Sequence, residues 1–112
     1  MKLFWSEAEE QEVWSFMSHV DEGLAQPPGT CPLCQTADLH VFFMRYEPSG
    51  RGGGWVWCNR CQNYLHFQAR VPAWWVNMES IPLERLGATP SLISEKAVEI
   101  DEHVRQTQPQ PT

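Results

Sequence analysis

Four cysteines stand in two close pairs, Cys31-Pro32-Leu33-Cys34 and Cys58-Asn59-Arg60-Cys61, separated by 23 residues. Two residues between thiolates let one tight turn aim both sulfurs at a single ion, and a hairpin of the intervening length brings the second turn opposite to complete a tetrahedron. The spacing therefore predicts one metal ion held by Cys31, Cys34, Cys58 and Cys61. Four thiolates suit zinc and also iron, with zinc ranked first. Zinc saturated by sulfur has no open coordination position, so the expected role of the ion is to fold the chain rather than to activate water.

This arrangement resembles the zinc-ribbon superfamily over roughly residues 30–71, with proline inside the first knuckle. Family knuckles usually have glycine directly after the second cysteine. Here Gln35 and Gln62 stand there, and a left-handed turn at a non-glycine residue costs about 1 kcal/mol. The run from Trp55 to Phe67, followed by Val71-Pro72-Ala73-Trp74-Trp75, resembles small bacterial zinc-ribbon proteins of polymorphic-toxin loci. That resemblance implies an immunity role, in which a small acidic protein blocks a secreted toxin. It assigns no roles to individual residues.

Elements that could position the cysteines are legible on both sides. Ser6 with Glu9 three residues on makes a capping box, and Val13, Met17, Val20 and Leu24 follow at helical spacing. That helix is expected to stop between Asp21 and Ala25, before Gln26-Pro27-Pro28-Gly29. Residues 38–46 read as a first strand, 55–57 as a short second and 64–71 as a third. The stretch from Pro48 to Gly54, rich in glycine, reads as a loose hairpin loop. Residues 72–87 suggest a loop with a short helical turn. A closing helix is expected from Thr89, with Pro90 first and Ile93, Ala97, Ile100 and Val104 as its apolar stripe, to about Arg105. The fold class is thus α+β: a small antiparallel three-stranded sheet flanked by an N-terminal and a C-terminal amphipathic helix, one domain over residues 1–105 and a disordered, Pro-rich tail over 106–112.

No cysteine is left for catalysis, and no serine has a nucleophile-elbow setting. The triple glycine Gly52 to Gly54 lacks the lysine and helix of a phosphate cradle. His40 and His66 fall on strands, where packing or support of the metal ligands is the commoner role. An enzyme is not expected.

Composition points instead to binding. The formal net charge is −6. Residues 30–72 carry four arginines and two acids, and a zinc with four thiolates cancels that excess, while both flanking segments are acidic. A polyanion is repelled overall, so a nucleic-acid or transcription-associated role is the second reading, led by arginines interleaved with aromatics. The first is a protein partner, a basic toxin under the immunity reading, with Trp74, Trp75, Trp55, Arg51 and Arg60 as candidate contacts. The opening residues are acidic, the reverse of a secretion signal, and no apolar run reaches membrane-spanning length. A cytoplasmic protein with reduced thiols and no membrane contact is the expectation, and nothing in the sequence selects an oligomeric state.

Overall fold

A computed structural model describes residues 4–87 and 89–109. Helix α1 spans Glu7–Asp21, and its start is the capping box: the Ser6 hydroxyl accepts from the Glu9 amide while the Glu9 carboxylate accepts from the Ser6 amide. Its end is a Schellman motif. Gly23 takes φ +78°, the Gly23 amide donates to Val20 and the Leu24 amide to His19, so the last turn's carbonyls are satisfied. Val13, Met17 and Val20 are buried as the periodicity requires, but Leu24 lies beyond the helix and is exposed.

Three antiparallel strands in the order β1-β2-β3 form the centre: β1 Leu39–Arg45, β2 Arg51–Cys58 and β3 Tyr64–Arg70. The second strand is longer than its sequence suggests. The glycines expected in a hairpin loop are strand residues paired to both neighbours, Gly54 standing between Phe43 and Phe67. The reason is space. A Cβ on Gly52 would meet the Met44 carbonyl oxygen at 1.9 Å, and one on Gly54 would meet the Phe67 ring at 2.5 Å. Glycine is needed here for close approach, and its conformational freedom is not used. The actual turn is Glu47 to Gly50, closed by the Gly50 amide on the Glu47 carbonyl, with Gly50 at φ +101°.

Both sheet faces are covered. Alternation places Val41, Phe43, Val56 and Phe67 on one face, where Trp14 of α1 meets Phe67 edge-on at 4.6 Å between ring centroids. His40, Phe42, Trp55 and Trp57 point to the other, against the C-terminal part of the chain. A sheet buried on two sides explains why six of the seven β1 residues are buried.

The 3-10 turn Leu83–Arg85 is the short helical turn expected in the connecting segment. The closing helix departs from expectation. It is two pieces, α2 Ser91–Ser94 and α3 Ala97–Thr107, because Glu95 and Lys96 bond three residues back instead of four and Lys96 leaves the helical region at φ −111°. The break rotates the second piece without losing the stripe, and Ile93, Ala97, Ile100 and Val104 are all buried. Nor does order end at Arg105. Helix α3 runs to Thr107, and Gln108 is buried, its side-chain amide donating to the carbonyls of Val20 in the last turn of α1 and of Ala25 just beyond it. Residues 110–112 of the expected tail lie outside the described residues. Among the described residues no helix is long and apolar enough to cross a membrane.

Candidate metal centre

Each cysteine pair sits in a turn built to one plan. In the first, the Gln35 amide donates to the Cys31 carbonyl at 2.9 Å and the Cys31 amide to the Thr36 carbonyl at 2.9 Å. In the second, the Gln62 amide donates to Cys58 at 2.8 Å and the Cys58 amide to Asn63 at 2.9 Å. Closing these turns requires a left-handed residue after each second cysteine, and Gln35 and Gln62 take φ +60° and +63°. The two turns adopt the geometry for which glycine would be the easier residue.

Replacing Gln62 by glycine is therefore expected to stabilise the metal-loaded protein by about 0.5–1 kcal/mol, the relief of the left-handed strain outweighing glycine's greater freedom in the unfolded chain. Gln35→Gly gains less, since the Gln35 side chain also donates to the Pro32 carbonyl at 2.9 Å. Thermal melts of the two variants check both; a clear loss at Gln62→Gly contradicts the strain.

The turns face one another. Cys31 and Cys61 sulfurs lie 3.7 Å apart and those of Cys34 and Cys58 3.6 Å, with all four within 4.8 Å. Sulfurs tetrahedrally placed around zinc at about 2.3 Å would be about 3.8 Å apart. The four cysteines read from the sequence are thus brought together as a plausible metal site, and the donor set fits a soft or borderline divalent ion. No disulfide links them.

Burial raises the Cys31 and Cys58 thiols above their ordinary range. At Cys34 burial is outweighed by hydrogen bonds from Thr36, Cys58 and Cys31, which hold the thiol at about 7. A metal ion taking all four sulfurs as thiolates must displace protons, most of all at the two buried positions. Supporting donors are already aimed at the sulfurs. The Trp5 indole donates to Cys31 at 3.4 Å and the Asn63 amide to Cys61 at 3.2 Å. Trp5 and Asn63 are themselves joined, the Trp5 amide donating to Asn63 Oδ1 at 3.2 Å. These N–H···S bonds stabilise thiolate charge and fix sulfur direction. Sequence spacing gave no signal for Trp5, 26 residues before Cys31.

The two strand histidines are elsewhere. His40 is buried between Asp101, at 2.8 and 3.0 Å from Nδ1, and Asp38, at 2.6 Å from Nε2. His66 stacks on Trp55 at 4.4 Å, and its buried Nε2 has no partner among the described residues. Neither joins the cysteine cluster. Beside the second turn is an open cavity of about 400 Å³ lined by Trp57, Asn59, Gln62, Tyr64, Ser91 and Ser94 among others, with no acid, histidine or lysine in its walls.

The proposed contact residues divide. Trp55 and Trp75 are core residues at 2% and 1% exposure, packed around Phe42 at 5.7 and 5.5 Å, and cannot anchor a partner. A sheet covered on two faces needs more aromatic volume than a one-sided one, and Trp55 and Trp75 supply it. Trp74 is partly buried, its indole donating to the Asp21 carbonyl at the end of α1. Arg51 and Arg60 are exposed. The large aromatics that do reach solvent include Trp14, Tyr46 and Tyr64. Compared with known proteins, the chain matches no family model, no curated protein and no solved structure.

Proposed function

We propose that this protein is a non-catalytic binding module, folded around one structural zinc ion, that acts by engaging another protein. The observation that carries the reading is the closed sulfur set: four thiols from two matched turns at tetrahedral spacing, which leaves zinc no position for water or substrate. A reducing, cytoplasmic setting belongs to this reading, because the thiols must stay reduced to bind metal. In the specific form implied by the resemblance to polymorphic-toxin-locus proteins, the partner is a basic toxin and the net charge of −6 speeds the encounter.

The nucleic-acid reading loses support from burial. Of the aromatics interleaved with the arginines, Phe42, Trp55 and Trp57 are 0%, 2% and 1% exposed, while Tyr46 and Tyr64 reach solvent and Phe67 is partly buried, and stacking supplies much of single-strand affinity. Single-stranded oligonucleotides are accordingly expected not to bind the zinc-loaded protein at about 150 mM salt. Fluorescence anisotropy with labelled oligonucleotides decides this; binding that weakens steeply with salt would replace the protein-partner reading. Elemental analysis is expected to return one zinc per chain, and iron in its place would change the ion but not the closed site.

A further inference from the structure

Strand β3 is an edge of the sheet, and its hydrogen-bonding phase is fixed at both ends. The Cys58 amide donates to the Asn63 carbonyl at 2.9 Å and the Val71 amide to the Gly50 carbonyl at 2.7 Å. With the unbroken register from Arg51↔Arg70 to Trp57↔Tyr64, Leu65, Phe67 and Ala69 turn their backbone groups to β2. Tyr64, His66, Gln68 and Arg70 then turn theirs outward. Among the described residues nothing pairs with those outward N–H and C=O groups. The strand has seven residues, and neither a bulge nor a proline protects it.

The opposite edge is treated differently. On β1, Leu39 exchanges both backbone bonds with Gly29 at 2.8 and 3.0 Å. At the other end, the Asn77 side chain stands in for a strand, accepting from the Arg45 amide and donating to the Arg45 carbonyl, each at 2.9 Å. One edge is capped at both ends and the other is left open, the arrangement expected where the open edge accepts another strand.

Charge selects the occupant. Between Glu47 and Glu79 the chain has no acidic residue, yet it carries Arg51, Arg60 and Arg70. Among the described residues the only charged pairs within 4.0 Å are those of His40, so these arginines have no carboxylate partner. At the end of β3 an open cleft of about 470 Å³ is lined by Arg70 and Arg45, whose guanidinium donates only to the carbonyls of Trp75 and Pro72. A second copy laid along β3 would bring two arginine-bearing strands together, the acid beside each being Asp21 of α1, which shares a cleft with Phe67, Ala69 and Arg70. A nucleic acid has no strand backbone to complete the ladder.

We infer that the open edge of β3 binds an extended acidic segment of a partner protein, which adds a fourth strand and sets a carboxylate in the Arg45–Arg70 cleft. This rests on the protein-partner reading, independently of its basic-toxin form, and specifies its site. Pairing runs through the outward groups of Tyr64, His66, Gln68 and Arg70, while exposed Tyr64 and the Trp14–Phe67 pair flank alternate side chains of the added strand.

The test is selection of a displayed random peptide library on the full-length, zinc-loaded protein, followed by amide hydrogen exchange with the selected peptides. Selected sequences should alternate β-branched with acidic residues and slow exchange at His66 and Gln68 by about tenfold or more. Gln68→Pro removes an outward N–H without breaking a β2 bond, so it should weaken binding about tenfold or more with the fold retained. If that variant fails to fold, peptides N-methylated at alternate residues supply the same loss on the native protein. Arg70→Glu should weaken acidic peptides and favour lysine-bearing ones. Peptides without acidic enrichment, binding indifferent to Gln68→Pro or to N-methylation, protection of the edge by self-association alone, or competition by oligonucleotides would each overturn the inference. A native partner that still binds Gln68→Pro overturns the edge site and leaves the protein-partner reading standing.

Discussion

Stripping the metal with a strong chelator is expected to abolish the cooperative thermal transition of this protein near room temperature. Structural zinc in a four-thiolate site contributes about 10–16 kcal/mol of apparent binding free energy at neutral pH, against a total stability of about 5–15 kcal/mol for a typical domain. The loss should spread beyond the turns. Cys31 and Cys58 are fully buried, Cys58 ends the central strand and pairs with Leu39, and the Trp5 indole is held by Cys31. Trp57, next to Cys58 and 1% exposed, is a built-in reporter, and its fluorescence should shift to the red as the sheet opens. Cys58→Ser should behave as the chelated protein does, because a buried hydroxyl is a poor ligand for this ion and is left without its bond. A metal-free chain that melts with an unchanged midpoint and cooperativity would remove the structural role of the ion, and with it the reason to regard the site as inert.

The site was legible because its determinants are local. Two residues between cysteines, a capping box and an apolar stripe at helical spacing each act within one or two turns of chain, and they survive in the structure as Cys31/Cys34, Cys58/Cys61, Ser6/Glu9 and Val13/Met17/Val20, with Leu24 alone lost from the stripe. The features that sequence did not reveal are long-range. Gly52 to Gly54 have a loop's composition and become strand because residues of both neighbouring strands, Met44 against Gly52 and Phe67 against Gly54, leave no room for a side chain. The burial of Trp55 and Trp75 follows from a sheet covered on both faces, which no strand pattern states alone. Gln108 looks like tail until its amide meets the carbonyls of Ala25 and Val20, 83 and 88 residues earlier. The same holds for the pairing of His40 with Asp101 across 61 residues.

That pairing carries the second large effect. His40 on β1 and Asp101 on α3 are 4% and 5% exposed, and the ring is gripped at both nitrogens by carboxylates. Burial favours the neutral imidazole, but the hydrogen bonds and charges of Asp101 and Asp38 outweigh it and raise the His40 pKa above its ordinary value. Carboxylates at both Nδ1 and Nε2 accept from a ring that donates at both nitrogens, so this setting favours the imidazolium. A group whose pKa is higher in the folded than in the unfolded chain stabilises fully below the unfolded value, near 6.5, and loses that contribution as pH rises through the folded value. Chemical denaturation of the zinc-loaded protein should therefore show this stabilisation intact in mild acid above the point of metal release, and declining on the alkaline side. His40→Ala leaves a buried carboxylate unpaired and should cost about 3–5 kcal/mol, whereas replacing His40 and Asp101 together by apolar residues of similar size should cost far less. Because α3 meets the sheet through β1, the single variant should also loosen α3, seen as faster amide exchange along Ala97–Thr107. A single substitution no worse than the double one, or stability flat from pH 6 to 9 in the parent, would show that the buried pair does not hold this layer in place.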